Sequence, residues 1–299
     1  MVCDFLDAAV NFPRILNMPT VLFQHNVESE IWRRHASTAS NPVWQMAYRL
    51  EFWKMLHYER RTLRRFHQVV AVSQPDRELM SRWIDGSCIT VVPTGVDLLQ
   101  YHPVSSNAEN PHLVMFVGSM DWAPNVDAVE HFSRAIWPLI LAKVPSARFR
   151  IVGRNPGPRV NRLVSGTISV TGSVASVAEQ LAQAAVVVVP LRVGGGTRLK
   201  IYEAMATGRA LVSTSIGAEG LDVHHGRDIL LADDPAEFAN AVIGLLVDES
   251  LRRSYGSAAA ALAAQYGWPA IGRRFAHVLE TAASASRNLG AEAMLLPQE

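Results

Sequence analysis

The feature that most constrains the fold is a regular alternation of short apolar runs with longer helix-forming stretches after residue 112. The apolar runs cover residues 113–117, 148–152, 168–170, 186–189, 210–213 and 228–231. The helix-forming stretches cover residues 126–141, 174–183 and 199–207, with two more beginning at Pro235 and near Leu251. Runs this uniformly apolar are typical of parallel strands that helices cover on both faces. The alternation therefore predicts an α/β domain built on a parallel sheet.

The first hundred residues show a less regular form of the same alternation. Apolar runs at 21–23, 69–72 and 89–92 predict strands, and the stretch 41–66 between the first two predicts a long helix. Residues 101–111 contain two prolines, two serines and two asparagines, which is typical of a linker. We therefore place a domain boundary near residue 107, giving domains over 1–107 and 108–270. A C-terminal helix and polar tail follow over 271–299.

Composition excludes several classes of protein. The chain is 49% hydrophobic and 18% charged, as expected of a globular protein, and its net charge of +1 argues against a nucleic-acid partner. Cys3 and Cys88 stand apart from any Cys/His cluster, so we expect no disulfide framework and no zinc site. The longest apolar stretch, 184–191, is far shorter than the roughly 20 residues that span a bilayer. We expect a cytoplasmic protein.

A glycine-rich turn carries the clearest chemical signal. It lies in Pro190-Leu-Arg-Val-Gly-Gly-Gly-Thr-Arg-Leu-Lys-Ile-Tyr-Glu-Ala-Met-Ala206, between a buried strand and a helix. Gly195 and Gly196 let the backbone approach a ligand, Thr197 can cap the helix, and the free N–H groups of its first turn attract anions. Arg198 and Lys200 add two cations. The segment is either a diphosphate cradle or a plain turn with a solvated helix start.

This segment resembles the signature of the retaining family-four glycosyltransferases, also called glycosyl transferases group 1. Members carry two glutamates, separated by seven residues, around the turn, and the second glutamate holds the ribose. Glu203 matches that second glutamate, and Gly195 stands where the first usually contacts the donor sugar. The Gly-Gly-Gly-Thr-Arg-Leu-Lys form resembles a recurrent subgroup that lacks the first glutamate. The resemblance implies a GT-B architecture, with two Rossmann-like domains built on parallel sheets.

Two further segments of the 108–270 domain follow the family pattern in the same order. Phe116-Val-Gly-Ser-Met-Asp-Trp-Ala-Pro-Asn-Val-Asp127 resembles the first strand and loop of the donor domain, which puts Gly118 and Ser119 beside the phosphates. The family often has an arginine and a lysine in this loop, and here we assign that charge to Arg198 and Lys200. Val170-Thr-Gly-Ser-Val174 resembles the turn that reads the nucleobase, through Gly172 and Val174. Taken singly, Gly118 and Gly172 also fit ordinary strand-end turns.

Within residues 1–107, the acceptor-side domain, Val21-Leu-Phe-Gln-His-Asn-Val-Glu-Ser29 resembles the strand and His-containing loop of the family. His25 is therefore the candidate that contacts the donor sugar or orients the acceptor, because it follows the carboxyl end of an apolar strand. A structural capping histidine is an equal alternative. Glu28 either touches the acceptor or begins a helix. In the family several strand–helix units precede this strand, whereas about twenty residues precede it here, so we expect an incomplete N-terminal domain.

Other catalytic sites are not supported by the sequence. There is no Asp-x-Asp triplet for a metal-dependent GT-A mechanism, and no Gly-x-Ser-x-Gly or Gly-x-Gly-x-x-Gly motif. The adjacent His224 and His225 lack a further ligand at metal-binding spacing, which favours a solvated loop. We expect no metal and no cofactor besides the donor substrate.

The predicted helix at 41–66 is both basic and aromatic. Its cations and its aromatic residues are Arg49, Lys54, Arg60, Arg61, Arg64 and Arg65, with Trp44, Tyr48, Phe52, Trp53 and Tyr58. Such a helix could rest on the inner face of an anionic membrane and meet a lipid-linked acceptor. The alternative that we prefer is a core helix with a charged outer face.

The resemblance implies transfer of a sugar from a nucleoside-diphosphate donor to the hydroxyl of a glycan or lipid-linked acceptor, with retained anomeric configuration, in a cleft between two domains. We expect a role in cell-surface or exopolysaccharide synthesis. Arg198 and Lys200 would stabilise the leaving diphosphate. The alternatives are a non-catalytic nucleotide-sugar-binding subunit or truncated paralogue, and a GT-B-type nucleotide-sugar epimerase.

Overall fold

The computed structural model describes residues 1–13, 18–39, 41–103, 109–193 and 198–294, apart from the side chains of 38 and 285–294. The chain forms two compact units. The first contains Met1–Thr94 and Pro269–Glu299, and the second contains Gly95–Gly194 and Arg198–Trp268.

The units divide at Thr94 and Gly95, about a dozen residues before the boundary near residue 107 that composition indicates. The cause is a pair of long-range hydrogen bonds within the second unit. The Val96 N–H donates to the Tyr266 carbonyl over 2.8 Å, and the Trp268 N–H donates to the Val96 carbonyl over 3.2 Å. These bonds attach the segment that begins at Gly95 to residues near the end of the second unit.

The first unit contains a four-stranded, fully parallel sheet with the order β1-β2-β3-β4. Its strands are β1 (Val2–Asp4), β2 (Val21–Gln24), β3 (Gln68–Ala71) and β4 (Ile89–Val91). Its first helices are α1 (Glu28–Thr38), α2 (Pro42–Leu63) and α3 (Gln74–Met80). The three strands and the long helix expected from the sequence are confirmed, and β1 is an addition.

The second unit contains a six-stranded, fully parallel sheet with the order β10-β9-β8-β5-β6-β7. Its strands are β5 (Asn110–Val117), β6 (Arg148–Val152), β7 (Ile168–Val170), β8 (Ala184–Val189), β9 (Ala210–Ser213) and β10 (Leu230–Leu231). Its helices are α4 (Ala123–His131), α5 (Trp137–Lys143), α6 (Pro158–Asn161), α7 (Val177–Gln183), α8 (Leu199–Ala206), α9 (Pro235–Val247) and α10 (Glu249–Ala263). The α/β fold class with parallel sheets is confirmed.

The strand order of the second unit fixes where a ligand can bind. From β5 the chain winds outward through β6 and β7, then returns to the other side of β5 and winds outward again through β8, β9 and β10. The direction of winding therefore reverses between β5 and β8. In open α/β sheets, ligands bind at the carboxyl ends of the strands on either side of such a reversal. The loops after β5 and β8 both emerge at this edge.

The last helix, α11 (Trp268–Met294), leads back to the first unit. Its Phe275 ring meets the edge of the Phe23 ring, with 5.4 Å between centroids. The helix predicted at 126–141 is divided, because one π-helical turn, Phe132–Ile136, lies between α4 and α5.

A buried carboxylate organises the first unit. Val27, at the N-cap of α1, provides no side-chain cap. Instead Glu59 of α2 accepts hydrogen bonds from the Glu28 N–H (2.9 Å), the Ser29 N–H (3.2 Å), the Ser29 hydroxyl (2.5 Å) and Gln24 Nε2 (2.6 Å). Burial raises the pKa of Glu59 to about 7 despite these four donors. Glu28 is the first residue of α1, which confirms the expectation that it can begin a helix.

We predict that Glu59 makes stability fall as the pH rises from 4.5 to about 7. The folded protein keeps the proton in this range, whereas the unfolded chain releases it, so ionisation favours unfolding by on the order of 3 kcal/mol. Glu59→Gln should remove this pH dependence. Gln24 Oε1 has no hydrogen-bond partner among the described atoms, so its amide can turn to accept from the new glutamine.

The measurement is the free energy of unfolding in urea across this pH range. Glu51→Gln, a change of a more accessible glutamate on the same helix, is the control and should keep the parental pH dependence. A Glu59→Gln variant with the same pH dependence as the parent would contradict the assignment.

Candidate functional site

Helix α8 begins at the carboxyl edge of the second sheet, after the glycine-rich turn. Gly195, Gly196 and Thr197 lie outside the described residues, so their contacts with a donor stay a prediction. The helix begins at Leu199, and Arg198 occupies its N-cap without a side-chain cap hydrogen bond. The cap position that we expected for Thr197 therefore belongs to Arg198.

Lys200, in the first turn of α8, is the central charged group of this edge. Its Nζ donates to Asn125 Oδ1 over 2.7 Å and lies 4.6 Å from the centroid of the buried Phe116 ring. Burial, and to a smaller extent the positive charge of Arg198, lower the pKa of Lys200 to about 7, and the charge of Glu203 opposes the shift. A nearby anion stabilises the charged form of such an enclosed ammonium group more than it would stabilise a solvated one.

Two glycines leave room for the close contacts at this edge. A Cβ atom on Gly118 would lie 2.8 Å from Lys200 Nζ and 2.7 Å from Asn125 Nδ2, and one on Gly153 would clash with the Gly118 carbonyl oxygen. Asn125 Nδ2 also donates to the Ser119 carbonyl over 2.8 Å. One amide therefore holds both the β5 loop and Lys200. The structure brings Gly118, Ser119 and Lys200 together, as the sequence predicts.

Arg154 brings a third cation that sequence reasoning left out of the site. It follows β6 at the same edge, and its Nε donates to Ser119 Oγ over 2.8 Å. Ser119 Oγ in turn donates to Asp121 Oδ1 over 2.6 Å. The Arg154 side chain is 68% exposed, so it can reorient toward a ligand. The sequence did hold one sign of this role, because Arg154 directly follows Gly153 at the end of a predicted strand.

Arg198 is more deeply enclosed than its motif suggests. Only 3% of it is exposed, and its NH2 group donates to the Ile216 carbonyl over 3.1 Å. The structure buries Arg198 and partly buries Lys200, so neither side chain is a freely solvated cation. The backbone of the turn after β9 encloses the first, and the end of β5 encloses the second. Substitution of Arg198 therefore also perturbs packing.

Glu203 lies one helical turn after Lys200 and is partly buried. Burial raises its pKa, while a hydrogen bond from the Tyr101 hydroxyl and the charge of Lys200 oppose the shift. Burial, together with Glu203, raises the pKa of Tyr101 to about 12, so this phenol remains a donor at physiological pH. Sequence reasoning missed Tyr101, because its segment has the composition of a linker.

Gly172 and Val174 follow β7, two strands away from β5 at the same edge. Gly172 has a φ of 71°, which favours glycine, and beyond its chain neighbours no described heavy atom lies within 4 Å of the place a Cβ would take. Val174 is partly buried. The turn is open on one side, and its contact with a nucleobase stays a prediction.

His25, in the first unit, follows β2 directly. Its Nε2 lies 2.7 Å from Asp4 Oδ1, at the end of β1, and its ring stacks on Phe5 with 4.0 Å between centroids. Phe23 lies on a second side at 4.7 Å. The imidazole is thus held at the carboxyl edge of its sheet, and its contact with sugar or acceptor stays a prediction.

The described residues include no group of three or more His, Cys, Asp or Glu side chains that could hold a metal ion. His225 Nδ1 accepts from the Leu231 N–H, and His224 packs against Arg227. Both histidines therefore serve the local loop.

Two family models match most of the chain. Residues 111–248 match Glycosyl transferases group 1, and residues 4–99 match Glycosyltransferase Family 4. The chain belongs to the family-four glycosyltransferases.

The chain is also similar to a curated protein and to several solved structures. The chain is 28% identical to a phosphatidyl-myo-inositol mannosyltransferase of Mycolicibacterium smegmatis, over 75% of this chain and 60% of that protein. The family-four chain thus spans less than two thirds of this relative. Sucrose-phosphate synthase from Thermosynechococcus elongatus aligns with a TM-score of 0.72 at 18% identity, over 95% of this chain and 73% of that one. HepE from Anabaena in complex with UDP-glucose aligns with a TM-score of 0.67 at 18% identity, over 93% and 78%. These likenesses show the GT-B fold.

We predict that a nucleoside diphosphate takes up about one proton when it binds above pH 7, and that its affinity falls as the pH rises there. The free Lys200 is then largely neutral, and the bound anion favours its charged form. Calorimetry with UDP and GDP at pH 8, in buffers of different ionisation enthalpy, measures the uptake.

Lys200→Met should abolish the proton uptake and weaken binding. Lys143→Met, which removes an exposed lysine of the same unit, should leave both as in the parent. Proton uptake that persists in Lys200→Met, or no binding of either nucleotide to the parent, would contradict the site.

Proposed function

We propose that this chain transfers a sugar from a nucleoside-diphosphate donor to an acceptor hydroxyl, with retention of the anomeric configuration. The observation that carries the proposal is the position of Lys200. Its ammonium is enclosed beside β5, where the winding of the second sheet reverses. Open α/β sheets bind ligands at this position, and a bound anion would stabilise the charged form of a lysine whose pKa burial has lowered. The diphosphate of a donor is such an anion.

The residues at this edge would stabilise charge on the leaving diphosphate. The Lys200 ammonium has three N–H donors. Within the described part of the chain, one of them donates to Asn125 Oδ1, so donors remain for phosphate oxygens. Arg198 adds a fixed positive charge, and Arg154 can swing toward the same loop. Preorganised cations in an enclosed site stabilise a developing anion without a metal ion.

The remaining site residues have roles that follow from the family resemblance. Glu203 would accept hydrogen bonds from ribose hydroxyls, sharing or replacing its bond with Tyr101. Gly172 and Val174 would face the nucleobase. Gly195, Gly196 and Thr197 would line the diphosphate.

The acceptor that we propose is a glycan or a lipid-linked hydroxyl, in cell-surface or exopolysaccharide synthesis. The mycobacterial relative is named a phosphatidyl-myo-inositol mannosyltransferase, which is an enzyme with a lipid acceptor. HepE was crystallised with UDP-glucose, so uridine nucleotides are the first donors to test. His25 would contact the donor sugar or orient the acceptor.

The first half of α2 supports contact with a membrane surface. It exposes 58% of Trp44, 76% of Met46, 61% of Leu50 and 64% of Trp53, whereas Leu56, Glu59, Thr62 and Leu63 of the second half are buried. The preferred interpretation of this stretch as a core helix is therefore right only for its second half. Met46, Leu50 and Trp53 share one stripe at helical spacing.

Cations surround this apolar stripe, which favours an anionic membrane as its partner. The exposed cations of the helix are Arg49, Lys54, Arg60, Arg61 and Arg64. Tryptophan at the interface and arginine toward anionic headgroups are the pattern of a helix that lies in the plane of a membrane surface. No helix in the described part of the chain is long and apolar enough to cross a bilayer.

We predict separable effects of Glu203 and His25. Glu203→Ala should weaken binding of UDP or GDP about tenfold or more, since a charge-assisted hydrogen bond to ribose is lost. His25→Gln should spare that binding and lower turnover. The control is Glu179→Ala, an exposed glutamate of the second unit.

The measurements are calorimetry and transfer from UDP-sugars and GDP-sugars to glycan and lipid-linked acceptors, with the product anomer assigned by NMR. Donor binding without transfer would favour the non-catalytic alternative, and an inverted anomer would contradict retention. Parental turnover of His25→Gln would remove His25 from the site.

We also predict that the double variant Trp44→Ser/Trp53→Ser binds vesicles of phosphatidylglycerol and phosphatidylcholine at least about tenfold more weakly than the parent. Both side chains are exposed, so the fold should persist. Leu99→Ser, at a position 91% exposed in the second unit, is the control. Co-sedimentation measures the binding, and an equal loss in the control or no loss in the double variant would contradict membrane contact by α2.

A further inference from the structure

A second polar pocket lies in the second unit, away from the residues assigned to the donor. It has a volume of about 390 Å³ and lies where β8 and β9 begin and where α8 ends. Its polar lining consists of Glu109, Thr207, Arg209, Arg252, Arg253 and Ser257.

Two enclosed arginines share one carboxylate in this pocket. Arg209 NH1 donates to Glu109 Oε2 over 2.6 Å, and Arg252 Nε donates to Glu109 Oε1 over 2.7 Å. Only 3% of Arg209 and 5% of Arg252 are exposed. Two positive charges against one negative charge leave a net positive charge in an enclosed place, which an anion would neutralise.

The hydrogen bonds of the two arginines are not all fulfilled by the protein. Arg209 NH1 also reaches the Ala184 carbonyl, and Arg252 NH1 reaches the Leu245 carbonyl over 2.9 Å. Arg209 Nε, in contrast, is buried and has no acceptor among the described atoms. An enclosed guanidinium donor without an acceptor is costly, and phosphate oxygens are the acceptors that guanidinium groups match best.

Helix α8 separates this pocket from the donor residues. Lys200 lies in its first turn, whereas Thr207 and Arg209 follow its last residue. A helix of this length is about 12 Å long. The strands point their carboxyl ends toward Lys200 and their amino ends toward the pocket, so one phosphoryl group cannot occupy both places.

We propose that this pocket is a second anion site, which binds the phosphoryl group of a small phosphorylated molecule or free phosphate. Arg209 and Arg252 supply the charge from inside. Arg253, exposed and paired with Glu249, and the exposed hydroxyl of Ser257 stand at the mouth. The site does not depend on the transferase function proposed above.

The test uses the full chain with Lys200→Met, which weakens anion binding at the donor edge. Inorganic phosphate and glucose 6-phosphate are titrated by calorimetry at constant ionic strength, and they distinguish free phosphate from a phosphate ester. Ser257→Glu adds a negative charge at the mouth without touching the buried arginines, and Ser254→Glu adds the same charge to an exposed position of α10 outside the lining.

We expect saturable binding of at least one of the two probes in the Lys200→Met chain. Ser257→Glu should lower that affinity about tenfold or more, and Ser254→Glu should change it much less. Absence of saturable binding, or equal effects of the two serine variants, would overturn the proposal and leave the arginines a purely structural role. Because Ser257 takes no part in donor binding, this result is separate from the nucleotide measurements.

Discussion

The second unit depends on one costly arrangement, the enclosure of the Lys200 ammonium against the end of β5. Removing a cation from water is unfavourable unless a partner compensates, and in the described chain Asn125 Oδ1 is the hydrogen-bond acceptor for its Nζ. At Gly118 a Cβ would strike both Lys200 Nζ and the Asn125 amide, so this position of the β5 loop favours glycine. The enclosure also explains the lowered pKa, because burial and Arg198 both favour the neutral amine. Sites that violate a packing rule in this way are commonly sites of function.

Each unit encloses one ionisable group with a pKa of about 7, and the comparison separates structure from function. Glu59 receives four hydrogen bonds from its own unit, all at the start of α1 or the end of β2. Those donors satisfy the carboxylate and anchor a helix, so it has little left to offer a ligand. Within the described part of the chain, Lys200 Nζ donates to Asn125 Oδ1 alone, and it lies at an edge where α/β folds bind ligands. A pKa of about 7 therefore has a structural meaning for Glu59 in the first unit, whereas for Lys200 in the second unit it points to a ligand.

The sequence predicted the features that depend on local pattern, and it missed those that depend on distant contacts. Uniformly apolar strands such as β8 and β9 were found because burial on both faces leaves a mark in every residue. β1 was missed because three residues carry no pattern. The division of the two units at Gly95 leaves no local mark in the sequence, because its hydrogen bonds join Val96 to residues some 170 positions later. Arg154 and Tyr101 were missed for a similar reason, because their partners Ser119 and Glu203 come near them only in the folded chain. Exposure of the first half of α2 was equally hidden, since a stripe of Met and Trp looks the same whether or not another surface covers it.

The central claim is that a donor diphosphate neutralises Lys200 at the edge between β5 and β8. A crystal structure of the chain with the nucleoside diphosphate that binds it most tightly tests this directly. The account predicts diphosphate oxygens within hydrogen-bond distance of Lys200 Nζ, beside Gly118, with the ribose at Glu203. A nucleotide bound elsewhere, or one bound at this edge while Lys200 Nζ contacts only Asn125, would contradict it.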